Sequence, residues 1–491
     1  MNKISSLKIS ISGVRGIIGD SLTPQLAGAL AQAFGTYVGG GPVIVGRDAR
    51  PSGRMILQAV ISGLLSSGCQ PVDVGICPIP SFLFLAKDSK SSGGIAVTAS
   101  HNPKEWNGLK FISRDGLYLT PHQVEEFLDI YHQGDFTYAG PDRLKILRSE
   151  SQPVEPHLKK LLGYFNADLI RRKKFKVALD CGNGAGAILA PRLLQELGCE
   201  AVVINAVPDG SFAHGGRGPG LYPGVHFRRT RPLIQNTGEW RAEGSSLDQS
   251  EPLPETIREI CRTVVKSRAD IGFVQDADAD RLAVVNEKGK PLGEELTLAL
   301  AAQYILGKKK GSVVCNLSTT RAIDDIAAAR KAPVFRTKIG EINVVEKVLS
   351  AEPAAVIAGE GNGGVILPEI HPCRDSFTGM GLILEYMAAS GRTISALQKR
   401  VPRYVMIKDK IEGSAEQGYR LVGLLKKRYE GQGRISLLDG LKIDFPDHWI
   451  HVRPSNTEPI IRIISEARTE SVAKAAIRRL KTEIAELKNK I

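Results

Sequence analysis

The sequence has few aromatic residues and no long uncharged apolar run. Aromatic side chains make up 6% of the 491 residues, and no stretch approaches the roughly 18 apolar residues that a membrane-spanning helix requires. The first residues also contain no apolar segment of the kind that a secretory signal has. We therefore expect a cytoplasmic protein with no membrane partner.

Cysteine is sparse, and the common nucleotide-binding motifs are missing. The seven cysteines are odd in number and scattered, without CxxC or zinc-type spacing, which argues against a disulfide framework or a zinc site and fits a reducing compartment. No Walker-type G-x-x-x-x-G-K-[ST] occurs, and the turn at 182–186 lacks the G-x-G-x-x-G spacing of a dinucleotide site. Nucleotide-dependent chemistry is thus disfavoured.

The chain is basic, with 65 Lys and Arg against 52 Asp and Glu and a net charge of +13. Its two dense basic runs, at 171–174 and 308–310, precede apolar segments and are not interleaved with aromatic residues, as a nucleic-acid surface would often be. We interpret them as solvated turns and expect no nucleic-acid partner. Small phosphorylated molecules remain compatible with the charge.

A repeated pattern of β-branched run, turn, apolar-periodic stretch and second β-branched run predicts the architecture. It occurs at 43–74, 176–204 and 312–336, and strands alternating with helices of this length indicate similar α/β/α domains with sheets covered on both faces. The last hundred residues differ: an amphipathic stretch at 415–428 and strand-like runs at 449–452 and 460–464 predict a smaller α+β domain. The predicted domains are 1–150, 151–265 with an inserted loop at 215–250, 266–395, and 400–491.

The first chemical motif is Thr98-Ala99-Ser100-His101-Asn102-Pro103, after the strand-like Gly94-Ile95-Ala96-Val97. A serine beside a histidine at a sharp turn can expose a hydroxyl nucleophile. The alternative is a serine turn that only leads the chain out of a sheet. Lys110, a few residues downstream, favours the functional interpretation because its cation can balance a phosphate.

The second motif is Asp276-Ala277-Asp278-Ala279-Asp280-Arg281, directly after a strand-like run. Three carboxylates at alternate positions can converge on one hard cation. An EF-hand loop is an alternative, but Arg281 stands where that loop needs glycine, and 282–285 has the pattern of a strand. A solvated acidic turn is the other alternative, and it is disfavoured because crowded carboxylates repel one another without a cation.

Two further loops carry polar groups suited to a sugar phosphate. In Gly359-Glu360-Gly361-Asn362-Gly363-Gly364 the glycines allow close approach of a ligand, while Glu360 and Asn362 offer hydrogen-bonding groups for hydroxyls. The stretch from Arg453 through Ser455, Asn456 and Thr457, followed by Arg462, resembles a phosphate cradle. Each has an ordinary alternative, namely a glycine turn after a strand and a polar hairpin loop.

Together, and in this order, the loops resemble the α-D-phosphohexomutase family. The resemblance covers nearly the whole chain and begins with Ser12-Gly13-Val14-Arg15-Gly16 near the N-terminus. It implies three similar α/β domains and a smaller C-terminal domain around a central cleft. It also implies an intramolecular phosphotransferase that interconverts hexose 6-phosphate and hexose 1-phosphate through a sugar bisphosphate, with the hexose phosphate as its partner and with a monomeric or homodimeric assembly.

The resemblance implies a role for each motif residue. Ser100 would be the phosphoserine, and one Mg²⁺ per site would be held by Ser100, Asp276, Asp278 and Asp280, with a sugar 1,6-bisphosphate as intermediate and activator. The other roles fall to residues near the reacting phosphate (Arg15, His101, Lys110, Arg281), to the sugar (Glu360, Asn362) and to the second phosphate (Arg453, Ser455, Asn456, Thr457, Arg462).

The glycine-rich loop at 359–364 is similar to that of the archaeal-type branch, which favours glucosamine phosphate as the substrate. The alternatives are a phosphomannomutase/phosphoglucomutase, a metal-dependent phosphatase, or a non-catalytic sugar-phosphate-binding protein. Two departures from the family pattern stand out: the insertion at 215–250, and Ser376 in Arg374-Asp375-Ser376, where glycine is common.

Overall fold

The computed structural model describes residues 7–10, 13–100, 102–212, 256–455 and 460–488. The predicted inserted loop at 215–250 lies outside the described residues. The described elements form four sheets with helices packed against them. Among the described residues, no helix is both long enough and apolar enough to cross a membrane.

The first sheet is mixed. Its strands are β1 (Lys8–Ser10), β2 (Gly13–Ile17), β3 (Gly41–Arg47), β4 (Cys69–Ile76), β5 (Gly93–Val97), β6 (Trp106–Ser113) and β7 (Arg148–Ser149), and its helices are α1 (Pro24–Val38), α2 (Gly53–Ser66), α3 (Ile79–Asp88) and α4 (Pro121–Gln133). The strand order is β1-β2-β6-β5-β3-β4-β7. The buried run Val43-Ile44-Val45 forms the centre of β3, and Thr120 and Gln123 form a capping box that starts α4.

The second sheet holds the acidic motif, which the predicted domain boundaries had placed in the third unit. Its strands are β8 (Lys176–Asp180), β9 (Glu200–Ile204), β10 (Ile271–Gln275) and β11 (Leu282–Asn286), with helices α5 (Glu155–Tyr164), α6 (Ala167–Lys173), α7 (Ala190–Glu196) and α8 (Arg258–Ser267). Because β10 pairs in parallel with β8, the hairpin of β10 and β11 completes this sheet. The predicted boundary at 265/266 is therefore too early, and the second unit extends to Asn286.

The third sheet carries the glycine-rich loop. Its strands are β12 (Ser312–Asn316), β13 (Val334–Thr337), β14 (Ala355–Glu360), β15 (Gly364–Leu367) and β16 (His371–Arg374), with helices α9 (Glu294–Lys308), α10 (Ala322–Ala328), α11 (Glu341–Leu349), α12 (Ser376–Ser390) and α13 (Ile394–Gln398). The order is β13-β12-β14-β15-β16. Helix α12 is almost wholly buried, as its apolar character on all sides requires.

The fourth sheet is antiparallel throughout. Its strands are β17 (Val405–Glu412), β18 (Arg434–Ser436), β19 (Leu441–Asp444), β20 (His448–Pro454) and β21 (Ile460–Ala467), with helices α14 (Ala415–Arg428) and α15 (Glu470–Lys488). The amphipathic stretch predicted at 415–428 is confirmed as α14. This sheet packs its two helices around a core of its own.

Buried polar contacts fix the first three units against one another. The side chain of His157 on α5 lies 3.0 Å from the Ser81 hydroxyl on α3 and 3.1 Å from an Asp375 carboxylate oxygen. One hydrophobic cluster also runs through all three units. The fourth unit docks on the third through Arg321, whose backbone N–H donates to Glu466 at 2.8 Å. These contacts consequently hold the four units against one another.

Candidate active site

The serine loop follows β5 and places Ser100 in a left-handed conformation. Ser100 has φ +53° and is 2% exposed. Its backbone N–H donates to the Thr98 hydroxyl at 2.9 Å, and its own hydroxyl lies 3.4 Å from Asp278 Oδ1. The left-handed turn therefore places the Ser100 oxygen beside the acidic motif, in a buried position. His101 lies outside the described residues.

A buried arginine that the sequence analysis missed holds this loop. Arg50, fully buried after β3, donates to the backbone carbonyls of Ser100 (2.8 Å), Asn102 (2.6 Å), Pro103 (2.6 Å) and Trp106 (3.1 Å). Its Nε donates to Asp48 at 3.1 Å, and Asp48 in turn accepts from the Thr98 hydroxyl at 2.7 Å. The pair of Asp48 and Arg50 thus fixes the backbone on both sides of Ser100.

The acidic motif forms a compact cluster between β10 and β11. Asp276, Asp278 and Asp280 are each fully buried, and one carboxylate oxygen from each lies within 4.8 Å of the others. Among the described residues, Asp276 Oδ2 and Asp280 Oδ1 accept no hydrogen bond, and their contact with Arg281 Nε is long, at 3.9 and 3.7 Å. Buried carboxylate oxygens without partners are costly unless a cation binds them. The donor set of hard oxygens therefore fits a divalent cation such as Mg²⁺.

The pKa values of two aspartates in this cluster are shifted in opposite directions. Although burial acts to raise the pKa of Asp278, Lys110 outweighs it at 2.9 Å from Oδ2, with help from Arg374 and Arg281, and the pKa is held below its ordinary value. Burial and the charges of Asp280 and Asp278 raise the pKa of Asp276 well above its ordinary value. A bound divalent cation would favour the ionised form of Asp276.

Two arginines and a lysine lie around the serine and acidic loops. Lys110 is buried on β6 and contacts both Asp278 and the Tyr118 hydroxyl, the latter at 3.3 Å. Arg15 on β2 donates to the Asn102 side chain at 2.9 Å. Arg281 Nε lies 3.9 Å from Asp276 and 3.7 Å from Asp280. The predicted cations therefore gather around the serine and acidic loops.

Arg374 joins the acidic cluster to the glycine-rich loop and was not predicted to do so. Its guanidinium contacts Asp280 Oδ2 at 2.5 Å, Glu360 Oε2 at 2.8 Å and Glu341 Oε2 at 3.1 Å. All four side chains are buried or nearly so. Sequence reasoning missed Arg374 and Glu341 because these pairs are brought together only by the packing of β16 and α11 against β10 and β14.

Glu360 and Asn362 occupy a tightly packed loop. Glu360 Oε1 accepts from Asn316 at 2.8 Å and from the backbone N–H of Gly340 at 2.9 Å, while Asn362 accepts from the N–H of Gly364. A Cβ atom at Gly361 would lie 2.0 Å from a carboxylate oxygen of Glu295. A residue with a side chain at this position would therefore displace the Glu295 carboxylate on α9.

The predicted phosphate cradle is a row of cations on the fourth sheet. Arg453 on β20 is paired with Arg462 on β21, and Lys410 on β17 is paired with Arg462 on its other side. Cross-strand partners share one face of a sheet, so the three cations can meet one anion. Ser455 follows Arg453 and donates its N–H to Ile460 at 2.9 Å. Asn456 and Thr457 lie outside the described residues.

The fourth sheet contacts the third unit beside the glycine-rich loop. The Ser318 hydroxyl lies 2.9 Å from His451 Nδ1, and the hydroxyl of the adjacent Thr319 accepts from the N–H of Gly361 at 3.2 Å. Burial lowers the pKa of Arg453 and Arg462 acts in the same direction, while Asp439 and Glu360 oppose them. The serine and acidic loops therefore lie in contact with each other, and the glycine-rich loop lies next to the fourth sheet.

Comparison with known families matches all four units. Models described as phosphoglucomutase/phosphomannomutase match alpha/beta/alpha domain I over residues 7–138, domain II over 155–225, domain III over 293–404 and the C-terminal domain over 409–487.

Curated relatives extend the likeness over nearly the full chain. A probable phosphoglucosamine mutase of Methanopyrus kandleri is 34% identical, covering 94% of each chain. A phosphoglucomutase/phosphomannomutase of Thermococcus kodakarensis is 35% identical, covering 94% of this chain and 95% of the relative.

Solved structures share the fold. A phosphoglucomutase/phosphomannomutase family protein of Burkholderia thailandensis has a TM-score of 0.78 at 25% identity, covering 97% of this chain and 98% of the other. At 16% identity and a TM-score of 0.55, an N-acetylphosphoglucosamine mutase of Aspergillus fumigatus, solved with GlcNAc-6P and magnesium, shares the fold over 98% of this chain and 95% of the other.

Proposed function

The chain belongs to the phosphoglucomutase/phosphomannomutase family, the α-D-phosphohexomutases, and to its archaeal-type branch, and from this premise we propose that its main reaction interconverts glucosamine 6-phosphate and glucosamine 1-phosphate. The predicted family, the predicted fold class and the prediction of a hexose-phosphate mutase are thereby confirmed. The particular sugar, the site roles and the phosphoserine are proposals.

The observation that carries the mechanism is the position of Ser100 against the acidic cluster. Its hydroxyl lies 3.4 Å from Asp278 Oδ1, so an oxygen on Ser100 and the carboxylates of Asp276, Asp278 and Asp280 can share one Mg²⁺. When bound, Mg²⁺ neutralises charge on the transferring phosphoryl group. Lys110 Nζ lies 2.9 Å from the other carboxylate oxygen of Asp278, Oδ2, and places a second positive charge beside this aspartate.

Two phosphoryl transfers complete the reaction. In the first, the bond between phosphorus and Ser100 Oγ breaks while phosphorus bonds to the free hydroxyl of the sugar phosphate; His101 accepts the proton of that hydroxyl, and the Lys110 ammonium balances the charge. The sugar bisphosphate then reorients in the site, so that its other phosphoryl group faces Ser100. In the second transfer the bond between the other phosphoryl group and its sugar oxygen breaks while that phosphorus bonds to Ser100 Oγ, and the proton returns to the sugar oxygen that is released.

The turnover requires one cradle that accepts either phosphate. We assign this role to Arg453, Ser455, Asn456, Thr457 and Arg462, supported by the row of cations on the fourth sheet. Glu360 and Asn362 bind the sugar hydroxyls, and Arg15 and Arg281 balance charge near the reacting phosphate. A fixed cradle facing a fixed serine provides the orientation that phosphoryl transfer needs.

The choice of sugar follows the relatives that match this chain. The Methanopyrus protein at 34% identity is a probable phosphoglucosamine mutase, whereas the Thermococcus protein at 35% identity supports a phosphomannomutase/phosphoglucomutase as the second candidate. A non-catalytic sugar-phosphate-binding protein is disfavoured because Ser100 and all three aspartates are retained.

All seven cysteines are free thiols, which supports a cytoplasmic location. We also propose that the protein is a monomer or a homodimer.

The test is ³¹P NMR of the Mg²⁺-supplemented protein with glucosamine 6-phosphate, mannose 6-phosphate and glucose 1-phosphate in separate samples, each primed with the matching bisphosphate. We expect interconversion of the 1- and 6-phosphates, fastest for glucosamine phosphate and lost in Ser100→Ala. Ser67→Ala is the matched control, because Ser67 is also a buried serine of the first unit, hydrogen-bonded to the Leu64 carbonyl at 2.9 Å.

Each result bears on a separate part of the proposal. Faster conversion of mannose or glucose phosphate would overturn the sugar assignment but not the mutase mechanism. Phosphate released to water by both the wild type and Ser100→Ala would indicate a phosphatase instead. No conversion of any sugar by the wild type would contradict the catalytic role.

A further inference from the structure

Three successive backbone carbonyls of the acidic loop are each held from outside the loop. The Ala277 carbonyl accepts from the N–H of Ala185 at 2.9 Å, and the Asp278 carbonyl accepts from the N–H of Ile79 at 3.0 Å. The Ala279 carbonyl accepts from the Ser376 hydroxyl at 2.6 Å. These anchors come from the second, first and third units, respectively, so the loop is held by all three.

The Ser376 contact differs from the other two because a side chain makes it. Ser376 is fully buried at the first position of α12, and its hydroxyl also accepts from the Gln275 amide at 2.7 Å. Since Gln275 occupies the oxygen as a donor, the hydroxyl proton is directed to the Ala279 carbonyl. The resulting pair of hydrogen bonds connects the last residue of β10 to the middle of the acidic loop.

The carbonyl that Ser376 holds belongs to a strained residue. Ala279 is buried and has φ +61°, a left-handed conformation that is unfavourable for a residue with a Cβ. Ala279 stands between Asp278 and Asp280, so rotation of its peptide would turn both carboxylates away from the shared cation position. A contact that fixes this peptide therefore fixes the donor set.

We propose that Ser376 is a positioning residue for the divalent cation: its hydrogen bond to Ala279 keeps the acidic loop in the conformation that binds Mg²⁺. This inference rests on the proposed metal site at Asp276, Asp278 and Asp280. Groups that orient metal ligands typically contribute about 10- to 100-fold to metal affinity, and the loss of one buried hydroxyl donor falls at the lower end of that range.

The experiment is a titration of the purified full-length protein with Mn²⁺, followed by electron paramagnetic resonance of the free ion, and by calorimetry with Mg²⁺. We expect Ser376→Ala to raise the Kd of both ions about 10-fold. Ser376→Cys, which is slightly larger than serine and keeps a weak donor at the same position, should raise the Kd by less than Ser376→Ala. The matched control is Ser91→Ala, which removes a similar buried bond, from the Ser91 hydroxyl to the Ala86 carbonyl at 2.7 Å.

The controls separate positioning from general damage. The melting temperature of the metal-free protein should fall by a similar amount in Ser376→Ala and Ser91→Ala, while only Ser376→Ala weakens the metal. In activity assays, the Mg²⁺ concentration for half-maximal rate should rise without a change in the KM for the sugar phosphate. Should Ser376→Ala not fold, the Kd of Ser376→Cys decides the question.

Two outcomes would contradict the inference in different ways. If the wild type binds Mn²⁺ at the aspartates, and Ser376→Ala and Ser376→Cys both keep the wild-type Kd, then only the role of Ser376 is refuted. If the wild type does not bind Mn²⁺, or if Asp278→Asn binds Mn²⁺ as tightly as the wild type does, then the proposed metal site is refuted and the inference with it.

Discussion

Replacing Arg50 by lysine tests whether the geometry of Ser100 depends on the buried clamp behind it. The Arg50 guanidinium makes five hydrogen bonds, one to Asp48 and four to backbone carbonyls of the serine loop. Lysine keeps the charge but has three donors. At least two of the five bonds are therefore lost in Arg50→Lys.

The size of the effect follows from the burial of the site. Hydrogen bonds to a charged group contribute about 1.5–3 kcal/mol each, so two lost bonds correspond to about 3–6 kcal/mol. Relaxation of the loop recovers part of this, and we expect the free energy of unfolding to fall by about 3 kcal/mol. The left-handed conformation of Ser100 would then relax, and a displacement of about 1 Å reduces kcat about 100-fold.

The assay measures kcat for the sugar-phosphate conversion together with urea denaturation of the same preparation. Arg171→Lys is the control, because Arg171 also combines a carboxylate partner, Asp168, with a carbonyl partner, Glu196, but is partly exposed and belongs to the second unit. A kcat within twofold of the wild type in a folded Arg50→Lys protein would refute the view that the clamp positions Ser100.

Three other changes test separate parts of the site. Asp278→Asn should abolish Mg²⁺ binding and lower kcat more than about 1000-fold, measured by ³¹P NMR; retained activation by Mg²⁺ would contradict the donor set. Arg453→Lys should raise the KM for the sugar phosphate about 10-fold or more with a smaller change in kcat, because bidentate contact is lost; an unchanged KM would remove Arg453 from the cradle. Lys442→Met concerns stability, since burial and Arg336 lower the pKa of Lys442 from 10.5 to about 8. The folded protein favours the neutral form of Lys442. Above pH 10.5 the side chain is neutral in both the folded and the unfolded protein, so folding carries no cost of burying its charge; as the pH falls from 10.5 through about 8, Lys442 becomes charged first in the unfolded and then in the folded protein, and the free energy of unfolding decreases. The variant should therefore be more stable than the wild type in urea at about pH 7, an advantage that disappears above about pH 10.5.

Local patterns in the sequence predict most of the fold. The β-branched runs near 43, 176 and 312 become central strands β3, β8 and β12, because short apolar runs bounded by turns are typical of buried parallel strands. The amphipathic stretch becomes α14 with its predicted bounds. The hairpin of β10 and β11 was assigned to the wrong unit, since sequence order does not reveal that β10 returns to pair with β8.

The candidate site was predictable only where its residues form contiguous motifs. The serine loop, the acidic motif and the glycine-rich loop each carry their chemistry within a few residues. Arg50 and the contacts of Arg374 and Ser376 escaped prediction because their partners lie far away in sequence, as in the contact of Arg374 with Asp280. Such contacts depend on how separate segments and units pack, which no local pattern encodes.

The most direct test of the mechanism is the transfer of a labelled phosphoryl group from Ser100. The protein is first labelled with a sugar bisphosphate carrying ³²P, freed of ligand, and mixed with unlabelled glucosamine 6-phosphate in a single turnover. We predict that the label lies on the peptide containing Ser100 before mixing and on the sugar afterwards, and that Ser100→Ala takes up no label. Label that stays on the protein, or that appears only as inorganic phosphate, would contradict the account.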